Sequence, residues 1–335
     1  MTLVTAASGG QDISVGSAIA IAGSVVLRVL CGTNSRPDTL QAPILVAFLA
    51  CCVVSMLFGA FNGTLVAVFK IQPMVATLIL YTAGRSIAAW INNNELPMIS
   101  DPSFAYYGNF LPGVAVPTPI FIAVICMILA WALLRFTNIG LYSQAVGINA
   151  SAARLNGIHP QFVKFLTYVI LGLCVAVAGF IKVSRFSTIN YSVVAKDIEM
   201  DAILAVAVGG NSYSANMLAI NVKRTKFLAH LICGILAGIG GFVYFLHVGS
   251  GSPSHASGAE MNAIASSIIG GTMLTGGVGN IIGTLFGVLS LSTIKNIVSS
   301  LGLDEAWWTN ITVAAMICLF LVIQSLVLSR KNKDE

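Results

Sequence analysis

Long uninterrupted apolar runs constrain this chain more than any other feature. They include Ala42–Met56, Ile120–Leu134, Phe165–Ile181, Phe227–Leu246 and Ile311–Leu328. Most approach the roughly 20 residues that cross a ~30 Å hydrocarbon core. A soluble core helix explains one such run, but not a chain built mostly of them. Only 9% of the residues are charged, whereas soluble domains carry about 25%. So few charges do not cover a water-facing surface. The expectation is an all-α, polytopic integral membrane protein dissolved in the lipid bilayer.

Eight spans are predicted, near Val15–Cys31, Ala42–Phe61, Pro73–Ile91, Thr118–Phe136, Phe165–Ser184, Phe227–His247, Asn280–Ile297 and Trp308–Leu328. Two shorter apolar pieces, Met200–Gly210 and Met261–Gly271, each end in Gly-Gly. At 1.5 Å per residue they cover about half the core, as short or broken helices do. Three Gly-x-x-x-Gly pairs have the spacing of close helix contacts: Gly59 with Gly63, Gly234 with Gly238, and Gly283 with Gly287.

Orientation follows the basic residues of the loops. Asn92–Val116, Gly249–Glu260 and Ser299–Ala306 carry no Lys or Arg and are placed outside. Lys223, Arg224, Lys226 and the tail Arg330, Lys331, Lys333 are placed at the cytoplasm. Both termini are then cytoplasmic. Lys182, Arg185 and Lys196 oppose this topology from its outer side.

The C-terminal half contains a tandem repeat. Ala145–Ile158 resembles Ala207–Ile220, and each is followed by Lys-Phe and an apolar helix containing Gly-Phe. Each unit then reaches Glu-Met-Asp/Asn-Ala-Ile, at Glu199 and Glu260, and closes with Gly-Gly. An ordered series of matches at this period marks a repeated structural unit. It divides the chain into a bundle over 1–144, a first unit over 145–210 and a second over 207–335. Each unit opens with a short polar helix, Ala150–Leu155 or Ser212–Met217, on the cytoplasmic side. Such a helix either transmits force from a soluble partner or is a solvated connector.

Several chemistries are absent from the sequence. No G-x-x-x-x-G-K-[ST] loop is present to cradle phosphates. No Ser-His-Asp set or HExxH appears, and an enzyme is not expected. The seven cysteines form no CxxC and lie mostly inside apolar runs, and the four histidines have no metal spacing. The net charge of +5 is scattered without a stripe, so no nucleic-acid partner is expected. The N-terminus shows no charged region of a cleaved signal peptide.

Charges at membrane depth are costly and usually functional. Arg85 lines a path, pairs with a carboxylate or snorkels to the interface. Gln72 and Thr77 are further candidates for a translocation path, among polar residues that include Gln11, Asn62, Tyr81 and Asn280. Asp12, Glu199, Asp201 and Glu260 stand at helix starts, where carboxylates cap free N–H groups.

Gly9-Gly-Gln-Asp-Ile-Ser-Val-Gly16 leads into an apolar helix and resembles the "GGIDLSVG" element of ribose- and galactofuranose-type permeases of bacterial ABC sugar importers. Lys70–Leu78 with Ala83-Gly-Arg85, the loop Ala145–Ile158, Glu260–Ile264, Gly270-Gly-Thr272 and Gly276–Gly279 resemble further segments of that family. The resemblance covers nearly the whole chain. It implies a permease that binds no cofactor itself, since a cytoplasmic ATP-binding subunit uses the ATP. The implied docking residues are Asn149, Ala150, Ser151, Ala152, Ala153, Arg154, Leu155 and Gly157, with Asn211, Ser214 and Ala215 in the second unit. It also implies a second permease, a periplasmic sugar-binding protein and a location in the bacterial inner membrane. The chain departs from the family in two ways: an N-terminal portion is expected to be missing, and the docking unit occurs twice. Both fit an in-frame fusion of two permeases at Ala207–Gly210. The competing readings are an ion-coupled secondary transporter and an inactive fusion or assembly protein.

Overall fold

The computed structural model describes residues 2–32, 34, 36–37, 39–110, 113, 116–191, 193–195, 198–199, 222–250, 252, 259–271, 281–300 and 306–334. It is all-α; among the described residues the β-type pairing amounts to two isolated bridges, Met98 with Thr188 and Phe110 with Pro117. The expected piece Met200–Gly210 and the loop helix Ser212–Met217 lie outside the described residues.

Thirteen helices are described. A short α1 (Thr2–Ser8) precedes α2 (Val15–Cys31), α3 (Ile44–Ala67) and α4 (Pro73–Ile91). One turn, α5 (Pro102–Ala105), interrupts the next loop before α6 (Thr118–Phe136). Then come α7 (Asn138–Ile148), α8 (Ala150–Leu155) and α9 (Pro160–Phe186). The last four are α10 (Val222–Val248), α11 (Ala259–Ile269), α12 (Ile281–Ser300) and α13 (Ala306–Asp334). A helix covers each of the eight expected spans, beginning at Ile44 in the second and at Ile281 in the seventh. Five contain segments long and apolar enough to cross a membrane: 44–67, 73–91, 118–136, 160–186 and 282–300. The apolar stretches 15–31, 231–246 and 310–323 are shorter. The other short piece is α11, which ends in the turn at Gly270-Gly271.

Prolines set several starts. Pro73, Pro160 and the Pro of Thr118-Pro119 occupy first-turn positions, where the missing N–H costs nothing. Asp101 caps α5 by accepting from the Ser103 N–H at 2.8 Å. The Ser103 hydroxyl and N–H together hold this loop carboxyl below its ordinary range.

Helix α2 is the centre of the bundle and packs against α3, α4 and α9. Its Ala20, Val26, Leu27 and Leu30 are fully buried. Helices α3 and α9 form the most extensive pair. In lipid no hydrophobic force drives helices together, so small residues that allow close approach decide which pairs form. Gly63 does this: a Cβ there would stand 3.0 Å from the Phe165 carbonyl oxygen. At Gly59 it would strike the Tyr168 carbonyl, and at Gly172 that of Ser55. Phe180 of α9 adds edge-to-face contacts with Phe48, Phe104 and Tyr107 at 5.2–5.6 Å.

The C-terminal helices join through α4, which packs against α13. Val75, Ala76 and Leu78 of α4 share one buried cluster with Val313, Ala314 and Ile317. Helices α11 and α12 meet where Gly287 approaches the Ser266 carbonyl. Thus the Gly59/Gly63 and Gly283/Gly287 pairs both serve close contacts. The third does not, since Gly234 and Gly238 of α10 meet nothing within 4 Å. Residues 231–246 of α10 are all exposed, and α6 has no buried residue.

This contrast predicts opposite effects from the same substitution. Gly59→Leu overpacks the α3–α9 contact and costs about 1–3 kcal/mol, whereas Gly234→Leu is tolerated. Thermal unfolding in detergent checks this: the expected result is a lower Tm for the first variant only.

Candidate functional site

Two regions hold most of the residues singled out by sequence: the end of the bundle bearing α7 and α8, and the buried start of α2. At the first, Asn149 breaks the path between α7 and α8. Its extended backbone cannot continue α7, and its Oδ1 accepts from the N–H groups of Ser151 and Ala152, both at 3.0 Å. This is an N-cap in the usual sense. The other end of α8 closes as firmly. The Ile158 N–H donates to the Ala153 carbonyl at 3.1 Å and that of Gly157 to Arg154 at 3.1 Å. This Schellman closure needs a left-handed residue after the cap, and Gly157 supplies it at φ +79°.

A helix of six residues has no stability of its own. Helix α8 is held because Ala153 is buried against Ala7, Val146 and Val163. Helix α1 lies along α7, with Gly147 against the Ala6 carbonyl. The opposite side is open. Ser151, Ala152 and Arg154 are exposed, and Ala150 is half-buried. The large apolar side chains Ile148 and Leu155 are 87% and 89% exposed, and Phe162 is 62% exposed. The sequence showed the short helix; it did not show this apolar rim. The second-unit residues Asn211, Ser214 and Ala215 lie outside the described residues.

The interior candidates have defined partners. The Thr77 hydroxyl is fully buried; it accepts from the Ile13 N–H at 3.1 Å and donates to the Pro73 carbonyl at 3.0 Å. It ties α4 to the segment that enters α2. Gln72 is half-buried, and its carbonyl opens α4 by accepting from Val75 and Ala76. Arg85 is half-buried and donates through Nη1 to the carbonyls of Tyr191 at 3.0 Å and Val194 at 2.8 Å. It therefore fastens the loop after α9 to α4.

The acidic residues divide. Asp12 does not cap α2 directly. Its Oδ1 accepts from the Ser14 N–H at 2.7 Å and the Ser14 hydroxyl at 2.6 Å, just before the first helical residue. Asn62 of α3 donates to that hydroxyl at 3.0 Å. Glu199 is fully buried, with its carboxylate against Gly16. Its repeat counterpart Glu260 is exposed in the first turn of α11, where a carboxylate favours the dipole. Asp201 lies outside the described residues. Among the described residues, no group of three His, Cys, Asp or Glu has metal-binding geometry.

A profile of the family described as "Branched-chain amino acid transport system / permease component" matches residues 1–213 and, separately, 205–321. The chain belongs to this permease family. It is 38% identical over 242 residues to the galactofuranose transporter permease of Escherichia coli K12, covering 70% of this chain and 67% of that one. It is 36% identical to a fructose import permease of Bifidobacterium longum, covering 63% of this chain but only 58% of that one. Identity to the ribose import permease of E. coli K12 is 27%, covering 97% of this chain and 80% of that one. No solved structure matches the chain.

The Thr77 contact gives this permease a test. Thr77→Val removes the acceptor of a buried N–H, which costs about 1–3 kcal/mol. A lower Tm in detergent is expected, while Thr82→Val, on a half-buried position of the same helix, changes it little.

Proposed function

We propose that this chain is the membrane-spanning permease subunit of an ATP-driven importer of a monosaccharide such as galactofuranose or ribose. The observation that carries the docking part of this reading is the mounting of α8. One face of it is fixed to the bundle through Ala153, while Ile148 and Leu155 stand exposed. A rigid helix with an apolar rim suits a cytoplasmic ATP-binding subunit. The chain itself has no phosphate-cradling loop, so the ATP is used on that subunit. Movement pressed onto α8 reaches the bundle through α7 and α9, which pack against it, and through α1, which packs on both of these. The spans then alternate between outward and inward access. The sugar arrives from a periplasmic binding protein, and the complex sits in the inner membrane with both termini at the cytoplasm. The names of the similar permeases support the substrate class. The exposed flanks of α6 and α10 are open to lipid or to a second permease.

The repeat supports a fusion of two permease sequences. The two family matches overlap at 205–213, a stretch that contains Ala207–Gly210. Gly172 and Gly179 of α9 correspond in register to Gly234 and Gly241 of α10. The first pair packs on α3 and α2, and the second meets nothing within 4 Å.

Cysteine trapping tests the docking. A cysteine at Leu155 is expected to crosslink to a co-expressed ATP-binding subunit, and Leu155→Asp to abolish co-purification with expression intact. Normal co-purification of Leu155→Asp would refute the role.

A further inference from the structure

Three spanning helices bring unusual polarity to one buried point. Asp12 stands before α2, Ser55 and Asn62 lie on α3, and Tyr168 lies on α9; all are at most 3% exposed. Together with Ser14 they line a cavity of about 20 Å³. The Asn62 amide donates to Ser14, and Ser14 donates to Asp12. The far ends of the cluster are unmatched. The Ser55 hydroxyl, the Asn62 Oδ1 and the Tyr168 hydroxyl are buried and make no hydrogen bond. Tyr168 nears Ser8 and Ser55 nears Cys51, but neither approach reaches hydrogen-bonding geometry. Orphaned groups of this kind cost about 1–3 kcal/mol each in a protein interior. Three around one cavity are not a packing accident.

We propose that Asp12, Ser55, Asn62 and Tyr168 form a binding site for one water molecule, which joins α2, α3 and α9. The donor and acceptor count selects the guest. Tyr168 and Ser55 offer two O–H donors, and Asn62 Oδ1 and the Asp12 carboxylate are acceptors. A water accepts two hydrogen bonds and donates two, so it satisfies every member. A monovalent cation uses only oxygen lone pairs and turns both hydroxyl protons away from the cavity, whereas a water uses the two donors and the two acceptors together. A sugar hydroxyl brings a carbon skeleton that this volume excludes, whereas about 10–15 Å³ suffices for one water. The glycine contacts Gly59 and Gly172 bring α3 and α9 together beside the same cavity. The water is thus a polar rivet in a joint otherwise held by close packing.

The test is a map of the purified protein in lipid nanodiscs, at a resolution that shows ordered solvent. One peak within hydrogen-bond distance of Asp12, Asn62 and Tyr168 is expected, unchanged when sodium is replaced by thallium. Absence of a peak, or a thallium signal in its place, overturns the proposal. Hydroxyl-radical labelling gives a second reading that needs no map. A bound water exposes buried Tyr168 to labelling, and Asn62→Leu, which replaces the amide acceptor by apolar methyl groups of similar shape, is expected to lower it. Tyr168 that resists labelling in the unsubstituted protein counts against the site.

Discussion

The architecture depends on how closely α3 and α9 approach. Lipid tails are as apolar as leucine side chains, so burial gives helices no reason to associate. Contact must come from backbones that nearly touch, and Gly59, Gly63 and Gly172 permit it. Helix α2 is clasped by this pair and by α4, and α4 in turn carries α13. Widening the α3–α9 contact would loosen each of these attachments in sequence.

The proposed docking helix stands at the edge of that frame. Helix α8 has too few residues to persist unaided, yet it is capped at both ends and pinned through Ala153. It rests on α7 and on the spanning helix α9, and α1 packs on both of these. Arg85 does a related job elsewhere, tying the loop after α9 to α4. Polar residues in this protein mostly connect elements. Thr77, Asn62 and Ser14 all bridge helices or helix entries.

Much of the fold was legible in the sequence because lipid makes backbone choice simple: apolar length gives a helix. The predicted Val15–Cys31, Pro73–Ile91 and Thr118–Phe136 coincide with α2, α4 and α6. The loop helix Ala150–Leu155 was legible for another reason, since its cap Asn149 and closing Gly157 are local signals. Long-range partners were not legible. Arg85 bonds carbonyls more than a hundred residues away, and Glu199 meets Gly16. Neither pairing leaves a trace in spacing. The repeat was visible, but its asymmetry was not: equivalent glycines are packed in α9 and open in α10. Sequence similarity records the shape of a packing face and is silent on whether a neighbour covers it.

The central claim is that this permease moves sugar when an ATP-binding subunit acts on its loop helix. The direct measurement is sugar uptake into proteoliposomes containing the permease, its partner permease, the ATP-binding subunit and the binding protein. The account predicts uptake that requires ATP and is insensitive to collapse of ion gradients. Uptake that continues without ATP and stops when an ion gradient is dissipated would contradict it.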